Sequence, residues 1–315
     1  MSSEPTLRQS IINTLAYFDL ADFPLTREEL FSWLWLPPAS LNYPEFLAAL
    51  DKLKLDYKFG YYFLPGQEKI MEERRQKFLI SAQKLKMARL AIRVIKSIPY
   101  LRAVFICNTV ASEQADENSD IDFFIITAAK RIWIVRFFTN LILRLCGLRT
   151  YGKKNKNKIC LSFYVTVESL NLVNLRIADD DIHLAYWLNQ MLPIFDPDNL
   201  YAKFLQENSW TKYYLPNLAA DKNASYLPKI SESFLDKLWK KAWEKMWQGK
   251  YGDLINNQVK KIQLLKMKFS GKPADHGIDK GVVISDQVLK FHEKDTRIPY
   301  RQAWQQKIYE LEKNI

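Results

Sequence analysis

The chain has 315 residues, 48% of them hydrophobic, and a formal net charge of +11. That length points to two or three domains. Forty-three aromatic residues supply a sizeable core, and nine glycines without a low-complexity run exclude long disordered stretches. Cys107, Cys146 and Cys160 exclude a disulfide framework or a cysteine zinc site. They read as buried, reduced thiols of an intracellular protein. Residues 1–5 lack the basic-then-apolar pattern of a signal peptide, so a cytoplasmic location is expected.

The positive charge is unevenly spread. Residues 1–70 carry six Lys/Arg against nine Asp/Glu, so the excess lies in the remainder of the chain. Within residues 1–66, apolar spacing predicts a helix over 7–18, and Thr26 followed by Arg27, Glu28 and Glu29 reads as an N-cap opening a second helix through 35. A third helix is expected from 42 or 43 through 53, and the alternating residues 57–65 suggest a two-stranded wing. Three helices and a hairpin resemble a winged helix, a domain that often reads DNA with its third helix. Here that helix offers Glu45, Asp51, Lys52 and Lys54, which gives little positive potential for phosphate; partner docking is the other reading.

Residues 67–98 predict a long basic helix linking two domains, ended by Pro99. Residues 99–197 then hold the stretch most informative about chemistry. The apolar run 104–107 reads as a strand, a polar turn follows, and residues 121–127, rich in β-branched and aromatic side chains, read as a second strand. Asp120 and Asp122 stand at its mouth. Residues two apart in a strand share a face, so both carboxylates point one way while Ile121 points into the core. Close like charges repel, and a divalent cation relieves the repulsion; hard oxygen ligands suit Mg²⁺.

This stretch resembles the signature of the DNA polymerase β-like nucleotidyltransferase superfamily, in which a strand ends in Gly-Ser or Gly-Gly, a short helix follows, and an Asp-x-Asp pair lies in a hydrophobic strand about ten residues later. The corresponding residues are Phe105, Ile106 and Cys107, then Asn108 and Thr109, then Ser119-Asp120-Ile121-Asp122 with four apolar residues after it. The resemblance implies an α+β fold: a small mixed sheet flanked by helices, with the N-terminal winged-helix-like unit before it and a mainly helical region, 198–315, after it. It implies Asp120 and Asp122 as catalytic residues and ligands of two Mg²⁺ ions. It also implies that Asn108, Thr109, Ser112 and Ser119 bind a nucleoside triphosphate such as ATP. Asn108 stands where the family has glycine, and asparagine tolerates the left-handed backbone better than most residues. The family draws a third carboxylate from a later strand. The matching strand, 158–165, has no acid, and Glu168 just beyond it is the nearest candidate metal ligand. The implied activity is Mg²⁺-dependent transfer of a nucleoside monophosphate. The missing acid keeps open a nucleotide-binding regulator without chemistry, and the N-terminal unit keeps open a DNA-binding protein.

Beyond the hairpin, a helix is expected over about 130–146. Arg136, Asn140 and Arg144 recur on one face, which marks an amphipathic helix covering a sheet and not a membrane span. The lysine run 153–158 is either a solvated loop or an attractor of nucleotide. Asp179, Asp180 and Asp181 precede a helix through 191, where acids favour the helix dipole or suggest metal. Residues 231–269 read as helix, rich in Lys and Trp. Trp239, Trp243 and Trp247 form a stripe that is packed core, with lysines on the wet face, or else a membrane or single-stranded nucleic-acid surface. Residues 271–281 read as a loop, followed by a short strand and a terminal helix.

Overall fold

Three capping boxes set the helices of the N-terminal unit. Thr6, Thr26 and Asn42 each accept from the backbone N–H three residues on, and Gln9, Glu29 and Glu45 reach back; each cap satisfies N–H groups that a helix start would otherwise leave orphaned. The computed structural model describes residues 5–64, 70–150, 155–218, 228–269, 281–291 and 295–314. Helices α1 (Leu7–Asp19), α2 (Arg27–Ser32) and α3 (Tyr43–Leu50) pack with strands β1 (Leu25–Thr26), β2 (Asp56–Lys58) and β3 (Tyr61–Phe63), which form an antiparallel sheet ordered β1-β3-β2. The link helix α4 runs Ile70–Ile95.

The second sheet has six strands: β4 (Leu101–Cys107), β5 (Ile121–Thr127), β6 (Ile159–Thr166), β7 (Leu192–Phe195), β8 (Val282–Ile284) and β9 (Val288–Phe291), ordered β7-β4-β5-β6-β9-β8. β5 and β6 are parallel and the other neighbouring pairs antiparallel, so the sheet is mixed. The four-residue α5 (Asn108–Ala111) follows β4, and α6 (Ile132–Leu145) makes the crossover from β5 to β6. Both faces are covered, as an almost unbroken apolar run requires. Ile121, Phe123 and Ile125 face a core shared with α4 and α6. Phe124 and Ile126 face a second core that includes Leu184, Trp187 and Phe204 from α7 (Ile182–Gln190) and α8 (Leu200–Glu207).

The N-terminal unit does not close its core alone. Ile182, Ala185 and Tyr186 of α7 and Trp304 and Leu311 of the last helix, α12 (Arg297–Asn314), complete it. The acids before α7 hold that helix: Asp181 caps α7 by accepting from Leu184 N–H and pairs with buried Arg297, and Asp180 pairs with Arg301. They serve capping and ion pairing, which is the ordinary use of acids at a helix start.

Two expectations change. Cys146 is exposed at the end of α6, so the three thiols are not all buried. Residues 231–269 break into α10 (Phe234–Met246) and α11 (Gly249–Phe269), after the short α9 (Thr211–Tyr214); Gly249, at φ +60, supplies the left-handed turn between them. The stripe is packed only in part: Trp243 and Trp247 are half-buried, Trp247 against the core, whereas Leu235, Leu238 and Trp239 are exposed and Lys240 is buried. The expected loop 271–281 and lysines 153 and 154 lie outside the described residues, apart from Gly281.

Candidate functional site

Asp122 is in register with Cys107 of β4 on one side and Cys160 of β6 on the other. Asp120 precedes the strand on the same face. One donor atom from each of Asp120, Asp122 and Cys160 lies within 4.8 Å of the others, the one such group of three among the described residues. A bulge in β6, between Cys160 and Phe163, makes this possible. It keeps Cys160 beside Asp122 and sets the Phe163 ring 5.0 Å from Phe124, so both β6 side chains fall on the acidic face.

Burial makes the pair electrostatically costly. Asp122 is 8% exposed. Removal from water, reinforced by the charge of Asp120, pushes its carboxyl up to about 7. Burial also raises Asp120, and it raises the Cys160 thiol, to which both carboxylates add. Arg149 opposes these shifts from its anchorage on Asn140 Oδ1 and Ile159 O. One buried and one half-buried carboxylate, opposed only in part by Arg149 and, at Asp120, by Lys84, leave a site that favours a proton or a metal ion.

Asn108 adopts φ 56, the left-handed conformation, at the turn from β4 into α5. Its side chain is clamped: Trp187 Nε1 donates to Oδ1 at 2.6 Å, and the amide hydrogen-bonds the Asp122 carboxylate. Thr109 is half-buried on the same turn, and its carbonyl accepts from Gln114 N–H at 2.7 Å. Ser112 turns its hydroxyl back to Asn108 O and Thr109 O. Ser119 exchanges hydrogen bonds with Asp116: its N–H and hydroxyl donate to Asp116 Oδ1, and its Oγ accepts from Asp116 N–H. Ser119 therefore shapes the loop ahead of Asp120. Glu168 is not brought to the cluster. It lies beyond the opposite end of β6, exposed, and eight residues of strand from Cys160 amount to roughly 25 Å.

Three contributors escaped the sequence reading. Cys160 fills the position where a third carboxylate was sought. Trp187 fixes Asn108 from α7. Lys84 of α4 is 1% exposed and donates to Glu117 O, Ser119 O and Asn157 Oδ1 at 3.2, 2.8 and 2.7 Å, which ties the loop before Asp120 to the turn before β6.

Two grooves lie elsewhere. One, of about 940 Å³, runs between the N-terminal unit and the larger sheet and includes Ser112. The other, of about 930 Å³, sits at the far end of β4 and β5 beside α10. Neither is lined by Asp120 or Asp122. The candidate site is taken at the acids because concavity alone supplies no chemistry, whereas paired carboxylates can.

Comparison with family models, curated proteins and solved structures returned no match. No described helix is long and apolar enough to cross a membrane. The fold and site define a mixed α+β chain with two small sheets and a partly buried acidic pair at the mouth of a central strand.

Proposed function

We propose that the chain is a divalent-cation-dependent nucleotidyltransferase that moves a nucleoside monophosphate from a nucleoside triphosphate to a hydroxyl or phosphate acceptor, releasing pyrophosphate. The observation that carries the reading is the convergence of Asp120, Asp122 and the left-handed Asn108 turn at one end of a mixed sheet. The donor set fits a hard cation through its two carboxylates, which a Mg²⁺ site requires, with waters and substrate phosphates completing the shell. Asp120 and Asp122 would hold the metal, with two ions expected for in-line transfer; when bound, it neutralises charge on the phosphate oxygens. The chain's own part is positioning. Asn108, clamped by Trp187, fixes the Asp122 carboxylate; Lys84 fixes the loop that delivers Asp120; Thr109 offers its hydroxyl at the turn. The N-terminal helices and three-stranded sheet support the winged-helix resemblance, but the acidic balance of residues 1–70 gives no charge basis for duplex DNA.

Calorimetric titration with non-hydrolysable ATP and CTP analogues tests the reading. Binding is expected to require Mg²⁺ and to fall by about tenfold or more in the Asp120→Asn/Asp122→Asn double variant, whose thermal midpoint is not lowered. Binding that ignores both Mg²⁺ and the substitutions would refute it.

A second reading, a nucleotide-binding regulator without transfer, is favoured by Cys160 standing opposite Asp122. It expects nucleotide to bind without pyrophosphate release. It further expects Cys160→Asp, which supplies a carboxylate able to accept the acceptor's proton, to gain release by about a hundredfold. Under the transferase reading the wild-type chain already releases pyrophosphate when a suitable acceptor is present.

A further inference from the structure

A helix at the surface of a globular protein ordinarily buries its apolar side and wets its charged side. α10 departs from this: its docked side carries Asp236, Lys240 and Glu244 beside the half-buried Trp243 and Trp247, Trp247 stacking on Phe138, and much of its apolar surface is left exposed. Asp236 binds Lys96 Nζ and the Ser97 hydroxyl, both at 2.5 Å. Lys240, 6% exposed, donates to Leu101 O and to Glu232. Glu244 takes both Nη atoms of Arg102 at 2.8 Å and the Tyr100 N–H at 2.6 Å. The charged side is thus bolted to the end of the sheet by directional contacts, and the helix cannot roll over without breaking all of them. On the other side Phe234 is 78% exposed, Leu235 73%, Leu238 54%, Trp239 54% and Met246 53%. α11 adds a further exposed apolar row in Tyr251, Leu254, Ile262 and Leu265.

Lys237, Lys241 and Lys245 recur every four residues along the flank of this stripe and line the 930 Å³ groove, where six Lys/Arg face the three acids Asp198, Glu232 and Glu244. Arg102 and Arg131 pair with Glu244 and Asp253, while none of the three lysines has an acidic partner among the described residues. An apolar stripe bordered by a row of unneutralised lysines calls for a partner that is apolar in depth and anionic at its surface.

We propose that α10 and the basic groove beside it form a docking surface for an anionic phospholipid bilayer. Phe234, Leu235, Leu238 and Trp239 enter the boundary between headgroups and acyl chains, and the lysine row engages headgroup phosphates at the rim. Nucleic acid suits the surface less well: Leu235, Leu238 and Met246 have no π-face on which a base could stack, and leucines gain nothing from a phosphate backbone. The acidic cluster lies at the opposite end of β5 from this groove, so docking does not cover Asp120 or Asp122. The inference is independent of what those acids do.

The test uses the full chain with vesicles of phosphatidylglycerol mixed with phosphatidylcholine, and with vesicles of phosphatidylcholine alone. Co-sedimentation with the anionic vesicles only, weakened by salt and accompanied by a blue shift of tryptophan emission, is the expected result. Lys237→Glu/Lys241→Glu/Lys245→Glu should weaken binding on the order of a hundredfold or more. Leu235→Asp/Leu238→Asp, which keeps Trp239 as the optical reporter, should weaken it by ~tenfold or more. All five substituted positions are exposed, and unchanged circular dichroism certifies the fold of each variant. The proposal is overturned if wild-type chain fails to bind anionic vesicles or binds both kinds equally. It is also overturned if the chain is a dimer that the leucine variant dissociates, or if a single-stranded RNA oligonucleotide displaces it from vesicles.

Discussion

Between about pH 4 and pH 8 the protein is expected to lose about 2 kcal/mol of stability through Asp122 alone, and Asp122→Asn is expected to abolish that loss. The sign follows from proton counting. Burial and the charge of Asp120 raise the Asp122 carboxyl from its ordinary 3.8 to about 7. Inside that window the folded state keeps a proton that the unfolded state has released, so folding weakens as pH rises. Below about 3.8 both states are protonated and the penalty vanishes; above about 7 it is fully present. A displacement from 3.8 to about 7 would be worth roughly 4 kcal/mol if it belonged to Asp122 alone. Because the proton is shared with Asp120, about half of that is the expectation. Asp120 and Glu113, also raised by burial, act in the same direction. His183, whose burial lowers its pKa, acts in the opposite one, because its neutral folded form loses stability as pH falls. The measurement is therefore a difference: urea unfolding of wild type and Asp122→Asn at both pH values. The variant should be the more stable protein at pH 8 and nearly equal to wild type at pH 4. Under the proposed function, Mg²⁺ at pH 8 restores much of the wild-type deficit by binding only the folded chain, and does nothing for the variant. A variant no more stable than wild type at pH 8 would mean that Asp122 is not held against a like charge.

Much of this site was readable before the fold was known, and the reasons are local. Asp120 and Asp122 announce a shared strand face because side chains alternate, and the four apolar residues that follow fix the strand. Thr26 announces a cap because its partner Glu29 sits three residues away. What stayed hidden depends on distant pairing. Glu168 attracted attention through closeness in sequence to the third strand, but β6 runs parallel to β5, so its first residues stand beside the acids and its last ones do not. The strand-helix-strand order of β5, α6 and β6 carried that signal, since such a crossover normally joins parallel strands. It directs the search for a third ligand to Cys160 at the start of β6. α10 failed for another reason: periodicity reports that a helix has two faces, not which of them docks. Only the ion pairs to Lys96 and Arg102, more than a hundred residues away, decide that.

Lys84 is the largest single loss expected from a residue outside the acidic cluster. In sequence it is one of several lysines on a polar helix, and such a lysine is ordinarily solvated. Here its ammonium is buried and spends its three donors on Glu117 O, Ser119 O and Asn157 Oδ1, a match of donor number to acceptors that fixes the head group completely. Lys84→Met keeps the stem volume and removes at once the buried donor that three part-buried acceptors share. The expected cost is about 3 kcal/mol or more, a fall in thermal midpoint on the order of 5–10 °C for a chain of this size. Lys84→Arg should recover only part of it, because a planar fork cannot converge on three acceptors arranged around a point. Lys77→Met is the control: that ammonium reaches a single carbonyl, Ala21 O at 3.0 Å, and its loss should cost less than about 1 kcal/mol. Lys84 acts on the site through position, since two of its acceptors are backbone carbonyls in the turn that ends at Asp120. Well below the midpoint, Lys84→Met should still show faster amide exchange across residues 116–120 and weaker Mg²⁺-dependent nucleotide binding, with exchange in β4 unchanged. If Lys84→Met unfolds within about 0.5 kcal/mol of wild type, the ammonium is not the latch of this loop, and the geometry of Asp120 must be maintained by the Asp116 and Ser119 hydrogen bonds alone.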